Sequence, residues 1–123
     1  MRAILAERLP DHGVFGEEFG LANDGARYRW LLDPVDGTRA FVTGRPLFGT
    51  LIALLRDGQP VLGVIDQPVL QERWIGVAGQ PTRFISPLGG SPVTRSCPRL
   101  ADAELSCTSP EMLESAPHER WKT

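Results

Sequence analysis

Trp30-Leu31-Leu32-Asp33-Pro34-Val35-Asp36-Gly37-Thr38 is the stretch that decides how this 123-residue sequence reads. An apolar run ends at two carboxylates three positions apart, with a proline between them and Gly-Thr behind. The pattern predicts a strand from Tyr28 to Leu32 that ends at Asp33. It also predicts a short helix over Thr38 to Val42, with Asp36 as its N-cap. Two carboxylates this close repel, and a divalent cation or a shared proton relieves the repulsion. Oxygen-rich, histidine-free ligation suits Mg²⁺, which keeps waters and binds substrate phosphates. A helix starting near Gly37 aims unpaired N–H groups at an anion. The plain alternative is that Asp33 ends a strand and Asp36 caps a helix, with no ligand at all.

Upstream, residues 1–8 read as the end of a helix stopped by Pro10, and Asp11-His12-Gly13 as a turn. Val14-Phe15 reads as a short strand delivering Gly16-Glu17-Glu18, and residues 19–27 as a loop or loose hairpin. Glu17 lies sixteen residues before Asp33, and a hairpin of that length returns it beside Asp33. Downstream, Gly44 closes the short helix and Pro46 prevents its continuation. Leu47 to Leu55 is almost continuously apolar, which predicts a central strand covered on both faces. Asp57-Gly58 signals a hairpin turn, and Val61 to Asp66 the return strand. Glu72 to Ala78 reads as a third antiparallel strand, with Arg73, Ile75 and Val77 on one face and Trp74, Gly76 and Ala78 on the other. Short extended segments follow around Arg83-Phe84-Ile85 and over 92–95. A helical turn is expected over 100–103, a strand over 104–108, and a helix from Ser109-Pro110.

These elements make an α+β domain, a meander of antiparallel strands with helices outside. The helices are too few to cover a two-sided apolar sheet, so the core reads as undercovered. Lysine and arginine number 13 against 15 acidic residues, a net charge of -2, which makes no electrostatic case for nucleic acid. No apolar run approaches the roughly 20 residues of a membrane span. Met1 to Arg8 has no signal-peptide pattern. Cys97 and Cys107 lack a CxxC spacing and read as reduced thiols of a cytoplasmic protein. His12 and His118 read as surface residues.

Gly16-Glu17-Glu18 followed by Trp30 to Thr38 resembles the two upstream motifs of the inositol monophosphatase superfamily. The similarity continues through Thr38 to Thr50, Gly63-Val64-Ile65-Asp66-Gln67-Pro68, Glu72 to Gly76, Thr94-Arg95-Ser96-Cys97 and Cys107-Thr108-Ser109-Pro110. These stretches look like the branch that contains histidinol-phosphatase. The resemblance implies a layered αβαβα phosphatase fold, of which residues 1–123 are a single partial domain carrying the N-terminal antiparallel sheet and the metal site. It implies Mg²⁺-dependent hydrolysis of a small phosphorylated metabolite, L-histidinol phosphate above all. It also implies Glu17, Asp33, Asp36 and the Val35 carbonyl as metal ligands. Glu17 and Thr38 would activate the attacking water, and Asp36, Gly37 and Thr38 would hold the phosphate.

The family carries a further Trp-Asp motif far downstream, whose Asp also binds metal. The last tryptophan in this chain is Trp121, followed by Lys122. Three alternatives therefore accompany the leading one. The chain is an inositol monophosphatase-like enzyme for another metabolite, or an inactive fragment that binds metal weakly or pairs with another chain, a homodimer included. The third is a metal-independent binding module.

Overall fold

The computed structural model describes residues 1–16, 20–91, 93, 95–104 and 106. Two compact units divide the chain, Met1–Pro92 and Val93–Thr123. The first holds helix α1 (Arg2–Arg8), helix α2 (Thr38–Val42) and seven strands: β1 (Gly13–Gly16), β2 (Gly20–Ala22), β3 (Tyr28–Asp36), β4 (Gly49–Arg56), β5 (Gln59–Gln67), β6 (Glu72–Val77) and β7 (Arg83–Ile85). They form one sheet in the order β2-β1-β3-β4-β5-β6-β7, with the apolar β4 at its centre.

From β3 to β7 the sheet is the expected antiparallel meander. The Asp57-Gly58 turn has positive φ at both residues, 52° and 78°, which matches the right-handed twist of the strands it joins. The two faces of β6 fall as the alternation predicted. Arg73, Ile75 and Val77 pair with Asp66, Val64 and Leu62, and Trp74 and Gly76 with Ile65 and Gly63. β1 departs from the meander, because it pairs with β3 in parallel. β2 runs back along the outer side of β1 and returns the chain to the end where β1 began. β3 then starts level with Gly13, and Gly16 comes to lie opposite Leu32.

α2 ends as the glycine and proline require. Gly44 has φ 70°, its amide donates to the Phe41 carbonyl at 3.1 Å, and the Arg45 amide donates to Ala40 at 2.9 Å. This pair of bonds is the Schellman closure. Phe41 meets Phe48 edge to face at 5.0 Å and fastens α2 to the chain entering β4.

Alternation gives the sheet two apolar faces. One carries Phe15, Leu31, Leu51, Ile65, Trp74 and Phe84, and the other Val14, Trp30, Leu32, Ile52, Val64 and Ile75. The undercovered core is visible in the exposures. Among the described residues the buried apolar side chains are Val14, Leu32 and Ala40, while Phe15 is 45% and Ile65 48% exposed. β4 is central, but it is not covered on both faces as its apolar run predicted, and Leu51 to Leu55 are half-buried.

His12 also differs from its sequence reading. It is half-buried, its ring stacks on Tyr28 at 4.9 Å, and its Nδ1 accepts a 3.0 Å hydrogen bond from Trp30 Nε1. In the second unit a 3₁₀ turn spans Leu100–Asp102, close to the turn expected there. Arg99 donates to both Asp102 carboxylate oxygens, at 2.8 and 3.0 Å, and that hydrogen bonding raises the guanidinium pKa above its ordinary value. Cys97 is an exposed free thiol. Cys107, His118, most of the strand expected over 104–108 and the helix expected from Ser109 lie outside the described residues, as does part of the segment over 92–95. No helix among the described residues is long and apolar enough to cross a membrane.

Candidate metal and phosphate site

β3 does not stop at Asp33. It runs to Asp36, with an irregularity between the two carboxylates. Asp33 pairs with Leu51 and Asp36 with Gly49, so three steps along β3 match two steps along β4. This is a β-bulge in which Pro34 and Val35 together oppose Thr50. Proline suits the position, since a bulged residue leaves the ladder and needs no N–H.

The bulge has a chemical consequence. Side chains alternate along a strand, so residues three apart in a regular strand point to opposite faces. The extra residue cancels one alternation. Leu51 and Gly49 are two apart on β4 and share a face, so their partners Asp33 and Asp36 also share one. The two carboxylates thus fall on one side of the sheet, at its end.

The polar groups of the bulge are satisfied by side chains. Pro34 has no N–H, and its carbonyl accepts from Thr50 Oγ1 at 2.9 Å. The Val35 amide donates to Asp33 Oδ1 at 3.1 Å, and the Val35 carbonyl accepts from Thr38 Oγ1 at 3.2 Å. Asp33, Val35 and Thr38, named from the sequence, are therefore joined through one short segment. A carbonyl oxygen has a second lone pair and a carboxylate a second oxygen, so these bonds leave acceptor capacity on Val35 and Asp33.

Asp36 is not the N-cap of α2. That position belongs to Gly37, in the left-handed region with φ 84°, and no side chain caps the helix. Asp36 is the last residue of β3 and is exposed, and Asp33 is half-buried. Gly37 is required twice over. Its φ disfavours any other residue, and a Cβ there would lie 2.8 Å from the Leu47 carbonyl oxygen.

Asp33 sits at the edge of an open groove of about 710 Å³ on the face that carries Phe15, Leu31, Leu51 and Trp74. Among the described residues no three acidic, histidine or cysteine side chains converge on a common point. The third carboxylate expected at the site, Glu17, lies outside the described residues. β1 ends one residue before it, at Gly16, level with Leu32. Hard oxygen donors from Asp33, Asp36 and the Val35 carbonyl fit a cation such as Mg²⁺. Thr50 is the residue that sequence reading missed, because within an apolar run it reads only as a strand former.

The inositol monophosphatase family profile matches residues 1–116. The chain belongs to the inositol monophosphatase family. It is 51% identical over 115 residues to the chloroplastic bifunctional phosphatase IMPL2 of Arabidopsis thaliana, covering 91% of this chain and 32% of that protein. It is 41% identical to the histidinol-phosphatase of Mycobacterium tuberculosis, over 89% of this chain and 43% of the relative. In structure it resembles an inositol monophosphatase from Zymomonas mobilis, with TM-score 0.65 and 55% identity, covering 79% of this chain and 36% of the other. The chain thus spans 32% to 43% of the length of these relatives. The mixed sheet with few helices corresponds to the N-terminal sheet portion of the inositol monophosphatase fold.

Proposed function

We propose that this chain carries the metal-binding and phosphate-binding part of a Mg²⁺-dependent phosphomonoesterase, with L-histidinol phosphate as its substrate. The observation that carries the reading is the β3 bulge. It sets Asp33 and Asp36 on one face, beside the Val35 carbonyl and the Thr38 hydroxyl. Support for the substrate comes from the histidinol-phosphatase among the relatives, and the extended motif match favours that branch. The inositol monophosphatase of Zymomonas mobilis is 55% identical, against 41% for the histidinol-phosphatase, and supports an inositol phosphate as the competing substrate.

In this reading Asp33, Asp36, the Val35 carbonyl and Glu17 hold divalent cation. A bound cation lowers the pKa of water, neutralises phosphate charge and stabilises the departing alkoxide. The chain's own groups orient the reactants. Glu17 accepts the proton of the attacking water, and Thr38 Oγ1 fixes its direction. Asp36, Gly37 and Thr38 hold the phosphate, the last two through amides at the start of α2. No covalent phospho-enzyme is required, so this reading needs no cysteine or histidine nucleophile. We place the protein in the cytoplasm and residues 1–123 within one larger domain.

The test is phosphate release from L-histidinol phosphate and from inositol 1-phosphate by the 123-residue chain in Mg²⁺. Faster release from histidinol phosphate, abolished by Asp36→Asn, is the expected result. Equal or reversed preference would remove the histidinol assignment. A second reading is favoured by the open apolar face, with Phe15 and Ile65 nearly half exposed. In it the chain is inactive, binds cation weakly and pairs with another chain, a second copy included. No release, with cation binding retained and lost in Asp33→Asn, would select it.

A further inference from the structure

We infer that Thr50 is a positioning residue of the metal site, acting through the β3 bulge rather than on the metal or the substrate. The inference rests on the metal-site reading above and adds a residue to it. Thr50 is the one β4 residue opposite the bulged pair, and its neighbours Leu51 and Gly49 are the register partners of Asp33 and Asp36. A bulge breaks the ladder, so its backbone groups need other partners. At this bulge Asp33 and Thr38 satisfy the groups of Val35, and both are placed in the site itself. The Pro34 carbonyl is held from the opposite strand, by the Thr50 hydroxyl at 2.9 Å.

That bond ties the bulge to the central strand of the sheet. It opposes the competing register, in which the extra residue slips out and β3 alternates normally. A slip by one residue sends side chains to the other face. Asp33 and Asp36 would then no longer share a face, and the carboxylate pair would be lost without any change in either ligand. Thr50 faces the opposite side of the sheet from both carboxylates, since it pairs with Asp66 while Leu51 pairs with Ile65. It does not line the groove. Its Oγ1 contact is with Pro34, sixteen residues away.

The experiment compares Thr50→Val, Thr50→Ser and Asp33→Asn in the 123-residue chain, with Mn²⁺ as the probe. Free aquo-Mn²⁺ is followed by electron paramagnetic resonance, and backbone amide exchange is measured without metal. Thr50→Val keeps shape and removes the hydroxyl. It is expected to weaken Mn²⁺ binding roughly five- to tenfold, the equilibrium factor of one lost hydrogen bond. Thr50→Ser is expected to bind within about twofold of wild type, since it keeps the donor. Without metal, Thr50→Val should speed exchange at Val35 and Asp36 while leaving β5 and β6 protected. Wild-type Mn²⁺ affinity in Thr50→Val, with binding lost in Asp33→Asn, would overturn this inference and leave the metal site standing. Unchanged binding in Asp33→Asn would overturn the metal-site reading itself. Exchange that rises equally in β5 and β6 would reduce Thr50 to a general stability residue and overturn its positioning role. If Thr50→Val does not fold, Thr50→Ser decides: a Mn²⁺ affinity more than tenfold weaker refutes the hydroxyl argument.

Discussion

Replacing Gly37 by alanine separates two costs that usually arrive together. The residue has φ 84°, and its Cβ would stand 2.8 Å from the Leu47 carbonyl oxygen and 3.3 Å from Phe48 Cα. Forcing alanine into the left-handed region costs about 1–2 kcal/mol. The close approach adds about 1–3 kcal/mol, because the obstacle is backbone and cannot swing aside. Gly58 supplies the control. Its φ is 78°, and an added Cβ there meets nothing within 4 Å. Gly58→Ala should therefore lose about 1–2 kcal/mol, and Gly37→Ala about 2–5 kcal/mol. For a unit of this size each kcal/mol moves the melting midpoint by roughly 4–8 °C. Thermal and urea unfolding of the two variants, measured side by side, gives the difference. Equal losses would refute the close-approach argument and leave only backbone conformation. A larger loss at Gly58 would refute the geometry of the α2 start as described.

Removal of divalent cation by chelator should lower the wild-type melting midpoint and leave Asp33→Asn and Asp36→Asn unmoved. The stabilisation lost is about 2.7 kcal/mol when free cation stood near a hundred times its Kd. His12→Leu removes the acceptor for Trp30 Nε1 and should cost about 1–2 kcal/mol in urea unfolding, with a shifted Trp30 emission. Asp66→Asn breaks the 2.6 Å pair with Arg73, whose side chain is half exposed, so the loss should be about 0.5 kcal/mol or less and shrink in high salt.

Much of the sheet could be read locally. Asp57-Gly58 announced its hairpin, Gly44 and Pro46 closed α2, and the alternation of β6 assigned its faces, because each is set by neighbours in sequence. The stretch Trp30 to Thr38 disclosed the family and most of the candidate ligands. Three features escaped, for one physical reason. The parallel pairing of β1, the bulge opposite Thr50 and the His12–Trp30 bond all depend on register between distant segments. Asp36 shows the effect most clearly. Read locally it is an ideal N-cap, yet pairing with Gly49 keeps it in β3 and passes the cap to Gly37. The two-sided cover expected over β4 failed for a related reason. An apolar run reports what a strand is suited to face, and the partners that would face it must come from elsewhere.

The sparse interior of the sheet unit bears on how it comes apart. Val14, Leu32 and Ala40 are 7%, 6% and 9% exposed, and most other apolar side chains of the sheet already meet solvent. Unfolding therefore adds less new apolar hydration than it would in a sheet covered on both faces. The heat-capacity increment should fall below the about 12–15 cal/mol/K per residue of well-packed domains, and the denaturant slope should be shallow. Cohesion rests mainly on the backbone ladders of β3, β4 and β5, the longest strands of the sheet. Slow-exchanging amides should concentrate there, while the three-residue edges β2 and β7 fray first.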